Sequence, residues 1–418
     1  MAEPKQSRPK GTLDFVPPQS GELRGVEETF RRVARRFGFA EIITPTFEHT
    51  EVFVKSTGTS SDIVTKEMYR FHDRSDRDLT LRPEGTPSVV RAVLENNLRL
   101  PARLFYTGSY FRYSRPQKGR YREFHQLGVE ALGEAAPDTD AEVIFLGTEF
   151  FSMLGIDDCL THVNSIGCLE CRPAHRTALV AFFATKRDLL CPDCLVRLEA
   201  NPLRILDCKV EACRKAAEGA PAPRQFLCAA CETHLQGVLT ELTRRNLQFE
   251  LDDRLVRGLD YYNRTTFEYV SKSLGAQDSL GGGGRYDYLV RSFGGPDTPG
   301  IGFALGLERT LLAMPPTETT ARHHICYVIW MSEAELPAAR DVADRLRAAG
   351  LPARIDYDAK KPARQFKTAD ADNAACCLII GADELARGVY SLKDLATGEQ
   401  TEIPHDFLVP EVRARFRD

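Results

Sequence analysis

The sequence predicts an α+β body that is interrupted by a helical, cysteine-rich insertion and followed by a small α/β domain. Three observations carry this. Between residues 20 and 155, and again between 249 and 313, short strand-like apolar runs mix with helical periodicities. Nine of the 12 cysteines fall between Cys159 and Cys231, marking one region of different construction. After the Pro/Thr-rich stretch "PPTETTARHH", strand and helix patterns alternate regularly.

In chain order, "GELRGVEETFRRVARRFGF" places apolar residues at 23, 26, 30, 33, 34 and 37, the period of an amphipathic helix, with Gly38 as its C-terminal stop. "AEIITP" reads as a strand stopped by Pro45. The runs "FYTGSYFRY" and "EFHQLGVEAL" read as strands joined by an exposed loop, "SRPQKGRYR". "DAEVIFLGTEFFSMLG" reads as a helix ended by Gly155. Residues 160 to about 245 hold two helical patterns, after which "FELDD" and "TTFEYV" resume the strands. "GIGFALGLERTLL" reads as a Gly-rich strand and a helix beginning near Leu307. In the last segment "ICYVIWM", "PARID" and "CCLIIG" are strands separated by helices, the rhythm of a largely parallel sheet. No internal repeat is found.

The chain has 418 residues, suiting two or three domains, with 43% hydrophobic and 27% charged residues, a soluble globular composition. Its net charge of −4 gives no global attraction to nucleic acid, so such binding must come from local patches. The polar N-terminus "MAEPKQSRPKG" has no signal-peptide core, and no apolar run nears the ~20 residues that span a bilayer. A cytoplasmic protein without membrane association is expected. In so long a chain the cysteines do not read as a secreted disulfide framework.

Several local patterns carry chemistry. Between Arg99 and Arg122 seven basic residues and no acidic one are interleaved with six aromatics, a local positive field suited to phosphate or RNA. A solvated hairpin explains it equally well. In "LRPEGT", Glu84 is placed to hold an ammonium group or to cap the following helix, and local sequence favours the cap. The four glycines 281–284 make either a close backbone approach to a ligand or a loose loop. Arg309, in the first turn of a helix whose dipole favours anions there, makes sense if an anion joins it. No Walker-type G-x-x-x-x-G-K-[ST] is present. In "RLVRGLDYY" an arginine, Arg257, sits among apolar neighbours and asks for an anionic partner. The pairs Cys191/Cys194 and Cys228/Cys231 offer four thiolates to a structural zinc, although the stretch between them is long for a zinc finger. Free thiols in a reducing compartment are the plainer alternative.

Taken together, "GFAEIITPTFEHTEVF", "YFRYSRPQKGRYREFHQLGVE" and "GIGFALGLERTLL", with "RLVRGLDYY" and "SLGGGGRYD", resemble the histidyl-tRNA synthetases, a branch of the class II aminoacyl-tRNA synthetases, from about Gly11 to the C-terminus. The resemblance implies a catalytic domain on a mixed, mainly antiparallel sheet in two parts, 1–164 and 241–318. It also implies a helical insertion at 165–240, a tRNA-contacting or cover domain, and a C-terminal α/β anticodon-binding domain at 323–418. It implies that Arg112 and Arg309 clamp ATP, with Glu123 also at the nucleotide and Mg²⁺ on its phosphates. Arg257 is then the fixed cation between the α-phosphate and the histidine carboxylate, which makes Arg112 and Arg257 the catalytic pair. Glu84, Gly85, Thr86 and Gln126 surround the histidine α-amino end. Glu130 and Tyr262 read the imidazole nitrogens, and Tyr261 and Tyr286 line the same pocket. The implied partners are L-histidine, ATP, the acceptor end and anticodon of tRNA(His), and a second copy of the chain meeting it around Pro45. Loop 113–121 would touch the acceptor end.

A pocket that hydrogen-bonds both ring nitrogens rejects an apolar competitor by ~10⁴–10⁵ in rate, so no editing site is expected. Three rivals fit less well. A histidine-binding regulatory relative of ATP phosphoribosyltransferase tends to lack the arginines and the last ~95 residues, whereas Arg112, Arg257, Arg309 and the final domain are all present here. A class II enzyme for another amino acid would have no use for Glu130 and Tyr262. A kinase-like regulator is opposed by the absence of an "HRD" catalytic loop.

Overall fold

The structure is a computed structural model and describes residues 6–57, 61, 63–316, 323–358 and 361–416; most of the Pro/Thr-rich stretch, residues 317–322, lies outside these. The helix Gln19–Arg36 turns Leu23, Val26, Phe30, Val33 and Ala34 inward, as its period requires. It stops where Gly38 takes a φ of 79°, a conformation a side chain would strain.

Among the described residues, eleven strands build the first unit, Met1–Pro315. In chain order they are β1 (Ala40–Glu41), β2 (Phe47–His49), β3 (Arg70–His72), β4 (Asp78–Leu81), β5 (Ala102–Phe111), β6 (Glu123–Leu132), β7 (Cys159–Ser165), β8 (Phe249–Leu251), β9 (Asn263–Ser271), β10 (Ser279–Arg285) and β11 (Gly300–Gly306). Eight form one sheet in the order β1-β5-β6-β11-β10-β9-β7-β8; β2, β4 and β3 form a small antiparallel sheet beside it. The large sheet is parallel only at its two ends, β1 with β5 and β7 with β8, and antiparallel between them. The reading of "AEIITP" as a strand is shortened to Ala40–Glu41: Ile42 donates one more bond to Phe105 and the chain then leaves the sheet.

Strand alternation assigns the two faces of this sheet. Phe105, Leu127, Val129 and Ala131 point to a core shared with Phe30, Phe150, Phe151, Phe267 and Phe303, under the helices Gln19–Arg36 and Pro137–Met153. Tyr106, Tyr110 and Leu132 belong to a second core on the other side, together with Tyr261, Tyr262, Tyr286 and apolar residues of the insertion. The glycine run is neither loop nor loose. It lies in β10, where a Cβ on Gly283 would stand 1.9 Å from the Gly302 carbonyl oxygen of β11.

The insertion holds four α-helices, Arg172–Ala184, Pro192–Ala200, Glu211–Ala216 and Ala229–Arg244, where the sequence pattern showed two. The two middle ones, nine and six residues long, are too short to display an apolar period. A buried ion network ties the last helix to the sheet. Arg285 donates to Asp140 from Nε (3.1 Å) and from Nη2, and His234 Nε2 meets the same carboxylate at 2.8 Å.

The second unit, Pro316–Asp418, has a five-stranded sheet flanked by the helices Leu336–Ala348, Pro362–Ala371 and Leu408–Arg415. Strand His323–Trp330 pairs in parallel with Ala353–Ile355 and with Ala374–Ile380. The sheet is then completed antiparallel by Val389–Asp394 and Gln400–Pro404, so it is half parallel, not largely so. That hairpin, "VYSLKDLATGEQTEIP", is too polar on its outer positions to stand out as strands.

Candidate active site

On the second face of the large sheet opens a cavity of about 620 Å³, within the size of small-molecule sites. Its wall holds Glu84, Gly85, Thr86, Arg112, Gln126, Arg257, Tyr261, Tyr262 and Arg309, which come from segments up to 225 residues apart (84 to 309). Gly281 and Gly282 of β10 line it too. Glu130 and Tyr286 stand behind this wall, and Glu123, expected at the nucleotide, is not on it.

At one end are buried acceptors. Glu84 is not a helix cap: Gly85 holds the N-cap position of helix Thr86–Glu95, with no side-chain cap bond. Instead Glu84 is buried with Oε2 accepting from the Tyr261 hydroxyl at 3.0 Å, while Oε1 has no partner among the described residues. Gln126 Oε1 is likewise buried and unpartnered. Burial pushes the Glu84 carboxyl up to about 7, although Arg112 and the tyrosine hydroxyl work against it. Behind it Glu130 accepts from Thr86 Oγ1 (2.6 Å), Tyr106 Oη (3.2 Å) and Tyr286 Oη, and burial pushes its carboxyl up to about 8.

Glycines make room for this set. The Tyr106 ring passes between Gly85 and Gly128, and a Cβ on either would stand 2.3 Å from it. A Cβ on Gly302 would stand 1.9 Å from Glu130 Oε2.

The other end is cationic. Arg112 Nε donates to the Pro83 carbonyl at 2.8 Å, and its guanidinium lies 5.3 Å from the Phe124 ring centre. Arg309 opens the helix Leu307–Ala313, as its sequence position predicts, and is held by the carbonyls of Gly119 (Nε, 3.1 Å) and Ser279 (Nη1, 2.8 Å). Burial lowers its pKa, and the positive fields of Arg120 and Arg112 add to this. Such a site gains when an anion enters. Arg257 is not a lone cation: Nη1 donates to Glu268 at 2.8 Å, and Glu268 also accepts from Ser279 at 2.6 Å. Gly282 leaves space for it, since a Cβ there would lie 3.0 Å from Arg257 Nη1.

The basic stretch is a β-hairpin, β5–β6, whose loop exposes Tyr113, Arg115, Gln117, Lys118 and Arg120. Arg122 stacks 3.8 Å from the Tyr113 ring centre, and Arg120 pairs with Glu67 at 2.9 Å. Two residues outside the sequence reading brace this region. Glu308 accepts from the His125 backbone N–H at 3.0 Å and meets its ring at 2.8 Å, fixing the motif "GLER" against β6. Arg82 of "LRPEGT" is structural: Nη1 donates to the Thr44 carbonyl and Nε to that of Ser109, each at 2.9 Å. A charge beside a glycine-rich strand was the available signal for Glu308; nothing local marked Arg82.

The expected thiolate set is divided. Cys191 and Cys194 lie with Cys208 and Cys213, whereas Cys228 and Cys231 lie with Cys168 and Cys171. The helix Glu211–Ala216 carries Cys213 back to Cys191, and Gly167 turns Cys168 and Cys171 toward Cys228.

The hairpin bearing Arg112 lies beside the strand–helix unit bearing Arg309 in a mainly antiparallel sheet, the arrangement that the resemblance to class II aminoacyl-tRNA synthetases implies. The family model described as Histidyl-tRNA synthetase matches residues 11–310, and one described as Anticodon binding domain matches 325–415. A histidine–tRNA ligase of Moorella thermoacetica is 49% identical over 95% of this chain and 96% of its own length. One of Nitratidesulfovibrio vulgaris is 45% identical over 98% and 99%. The apo histidyl-tRNA synthetase of S. aureus superposes with a TM-score of 0.81 at 32% identity, covering 98% of this chain and all of that one. The chain belongs to the histidyl-tRNA synthetase family.

Proposed function

We propose that the protein is a histidine–tRNA ligase whose cavity activates L-histidine with ATP, releasing pyrophosphate, and then transfers the histidyl group to the 3′ end of tRNA(His). One observation carries the assignment of sides: two buried acceptors, Glu84 Oε1 and Gln126 Oε1, stand unpartnered in a cavity that also holds Arg112, Arg257 and Arg309. An unpartnered buried acceptor costs about 1–3 kcal/mol, which an ammonium donor would recover.

The α-amino group therefore sits at Glu84 and Gln126, with Thr86 alongside. The carboxylate points to Arg257, and the imidazole lies against Tyr261 and Tyr262. Glu130 acts from behind, through Thr86 and Tyr286. ATP enters with Mg²⁺ on its phosphates, and Arg112 and Arg309 hold it. A carboxylate oxygen of histidine attacks the α-phosphorus as the bond to pyrophosphate breaks. The arginines neutralise charge that spreads over the phosphate oxygens, the largest service a protein offers this step. The terminal ribose hydroxyl of tRNA then attacks the adenylate carbonyl and AMP leaves, its phosphate able to accept the hydroxyl proton. Loop 113–121 and the insertion 165–240 receive the acceptor arm, and the final domain receives the anticodon.

Two copies form the working unit in the cytoplasm. Phe47, 55% exposed, meets the ring of Phe71 on the small sheet, and Ile43, four residues earlier in the chain, is 86% exposed, apolar surface suited to a partner. Among the described residues no helix is long and apolar enough to cross a membrane.

The test is ATP–pyrophosphate exchange with each amino acid in turn. Exchange that depends on L-histidine alone is expected. Histidine binding with no exchange would mark a histidine-sensing relative and overturn the assignment.

A further inference from the structure

Eight cysteines of the insertion gather into two compact groups, Cys168/Cys171/Cys228/Cys231 and Cys191/Cys194/Cys208/Cys213. Within each, the four sulfurs all lie within 4.8 Å of one another. None is joined in a disulfide, which would require about 2.05 Å. The separations Cys168–Cys171, Cys168–Cys228 and Cys191–Cys208 are 3.7, 3.9 and 3.9 Å. Zinc holds thiolates at ~2.3 Å, and a tetrahedron's edge is about 1.63 times its centre-to-corner distance, so neighbouring sulfurs should stand ~3.8 Å apart. The observed spacings are that edge.

We infer that the insertion carries two structural zinc sites, one in each four-cysteine group. The surroundings suit thiolates as well as the spacing does. The backbone N–H of Cys228 donates to Cys171 Sγ at 3.2 Å, and that of Cys191 to Cys213 Sγ at 3.1 Å, bonds that spread the ligand charge. Cys171, Cys191 and Cys228 each begin a helix, the end whose dipole favours a negative sulfur. Cys194, Cys213 and Cys231 are fully buried, so each site is closed by four protein ligands with no position left for substrate. That is the structural form of a zinc site, not the catalytic one.

The two sites do different work. The first joins the segment after β7 to the start of helix Ala229–Arg244, clamping the two ends of the insertion together against the sheet. The second joins helix Pro192–Ala200 to the segment 208–213. Asp193, Arg204 and Asp207, held by these pieces, stand on the wall of the catalytic cavity beside Arg257. Helices of nine and six residues do not persist alone, so the second zinc would set this wall.

The experiment uses the full chain, produced with zinc and purified without chelator. Elemental analysis should find about two zinc per chain, and zinc X-ray absorption a shell of four sulfurs at ~2.3 Å. The pairs Cys168→Ser/Cys171→Ser and Cys208→Ser/Cys213→Ser should each leave about one zinc. The second should also raise the KM for ATP in exchange at least severalfold. Should either double variant not fold, the zinc count and sulfur shell of the unaltered chain decide. Less than ~0.2 zinc per chain after reduction and reloading, a shell containing nitrogen or oxygen, or disulfides among these eight residues would overturn the inference.

Discussion

Glu84 is held between opposed demands. Burial favours its neutral form, with a pKa of about 7, while an incoming ammonium group requires its charge. With the cavity empty, Glu84 and Glu130 both titrate above their unfolded values. Their ionisation therefore subtracts from stability progressively as pH rises from about 4.5 through 7 and 8. With the histidine ammonium at Glu84, as proposed above, binding would reverse the sign there. Below about pH 7 the carboxyl must first lose its proton, so the bound state is favoured as pH rises. Glu84→Gln should weaken histidine roughly ten- to a hundredfold at pH 8, the worth of a charged hydrogen bond. The ratio of wild-type to variant affinity should fall up to about tenfold per unit below pH 7. The substrate's own imidazole titration cancels in that ratio, which calorimetry at several pH values would measure; a flat ratio would remove Glu84 from the ammonium site. Arg257 makes a second case. Its bond to Glu268 pre-positions the guanidinium rather than leaving it free. Arg257→Ala should lower the rate of adenylate formation by about 10²–10³-fold with the oligomeric state unchanged. Single-turnover formation of the adenylate at the normal rate would remove the role given to it.

At the scale of elements, the sheet supplies what no single motif contains. Arg285 is fully buried in β10, and its charge is met by Asp140 at the start of the helix Pro137–Met153, with His234 of the insertion on the other side. Asp140→Asn would take from the buried guanidinium one of its two carboxylates, leaving Asp287 on Nη1 at 3.0 Å, at a cost of about 1.5–3 kcal/mol. Urea unfolding should report that loss, and a change below about 1 kcal/mol would mean the network is relaxed by water. The helices and strands around this junction were legible because long periodic runs declare themselves: Gln19–Arg36, the β5–β6 pair and the turn from β11 into Leu307–Ala313 all lie where the pattern places them. Illegible were features decided by distant backbone. The four glycines read as a loose loop or a close approach to a ligand; they are strand residues whose missing side chains admit the neighbouring strands, and Gly281 and Gly282 also line the cavity. Glu84 read locally as a cap because only the fold brings Tyr261 to it, 177 residues away. The cysteines were visible as pairs, but spacing along the chain could not say which pairs meet.

Across the whole molecule, the candidate site draws on both halves of the catalytic unit, and the residues that brace it lie close to an uncovered surface. Arg82, which anchors the strand before Glu84, donates to the carbonyl of buried Thr44, and around it Ile43, Pro45, Thr46, Phe47 and His49 are exposed. Phe47 pairs in register with Leu81 next to Arg82, so whatever covers Phe47 also steadies the segment that carries Glu84. A second copy of the chain is the occupant proposed above, and it predicts a coupling between assembly and catalysis. The double variant Ile43→Glu/Phe47→Asp should sediment as a monomer. Because it adds charge only where the single chain faces solvent, the thermal transition of each chain's fold should shift little beyond the loss of assembly. Histidine-dependent exchange should nonetheless fall by more than tenfold. A monomer with full exchange would show that Thr44 and Arg82 hold the pocket without a partner. A dimer that survives both charges would place the interface elsewhere on the surface.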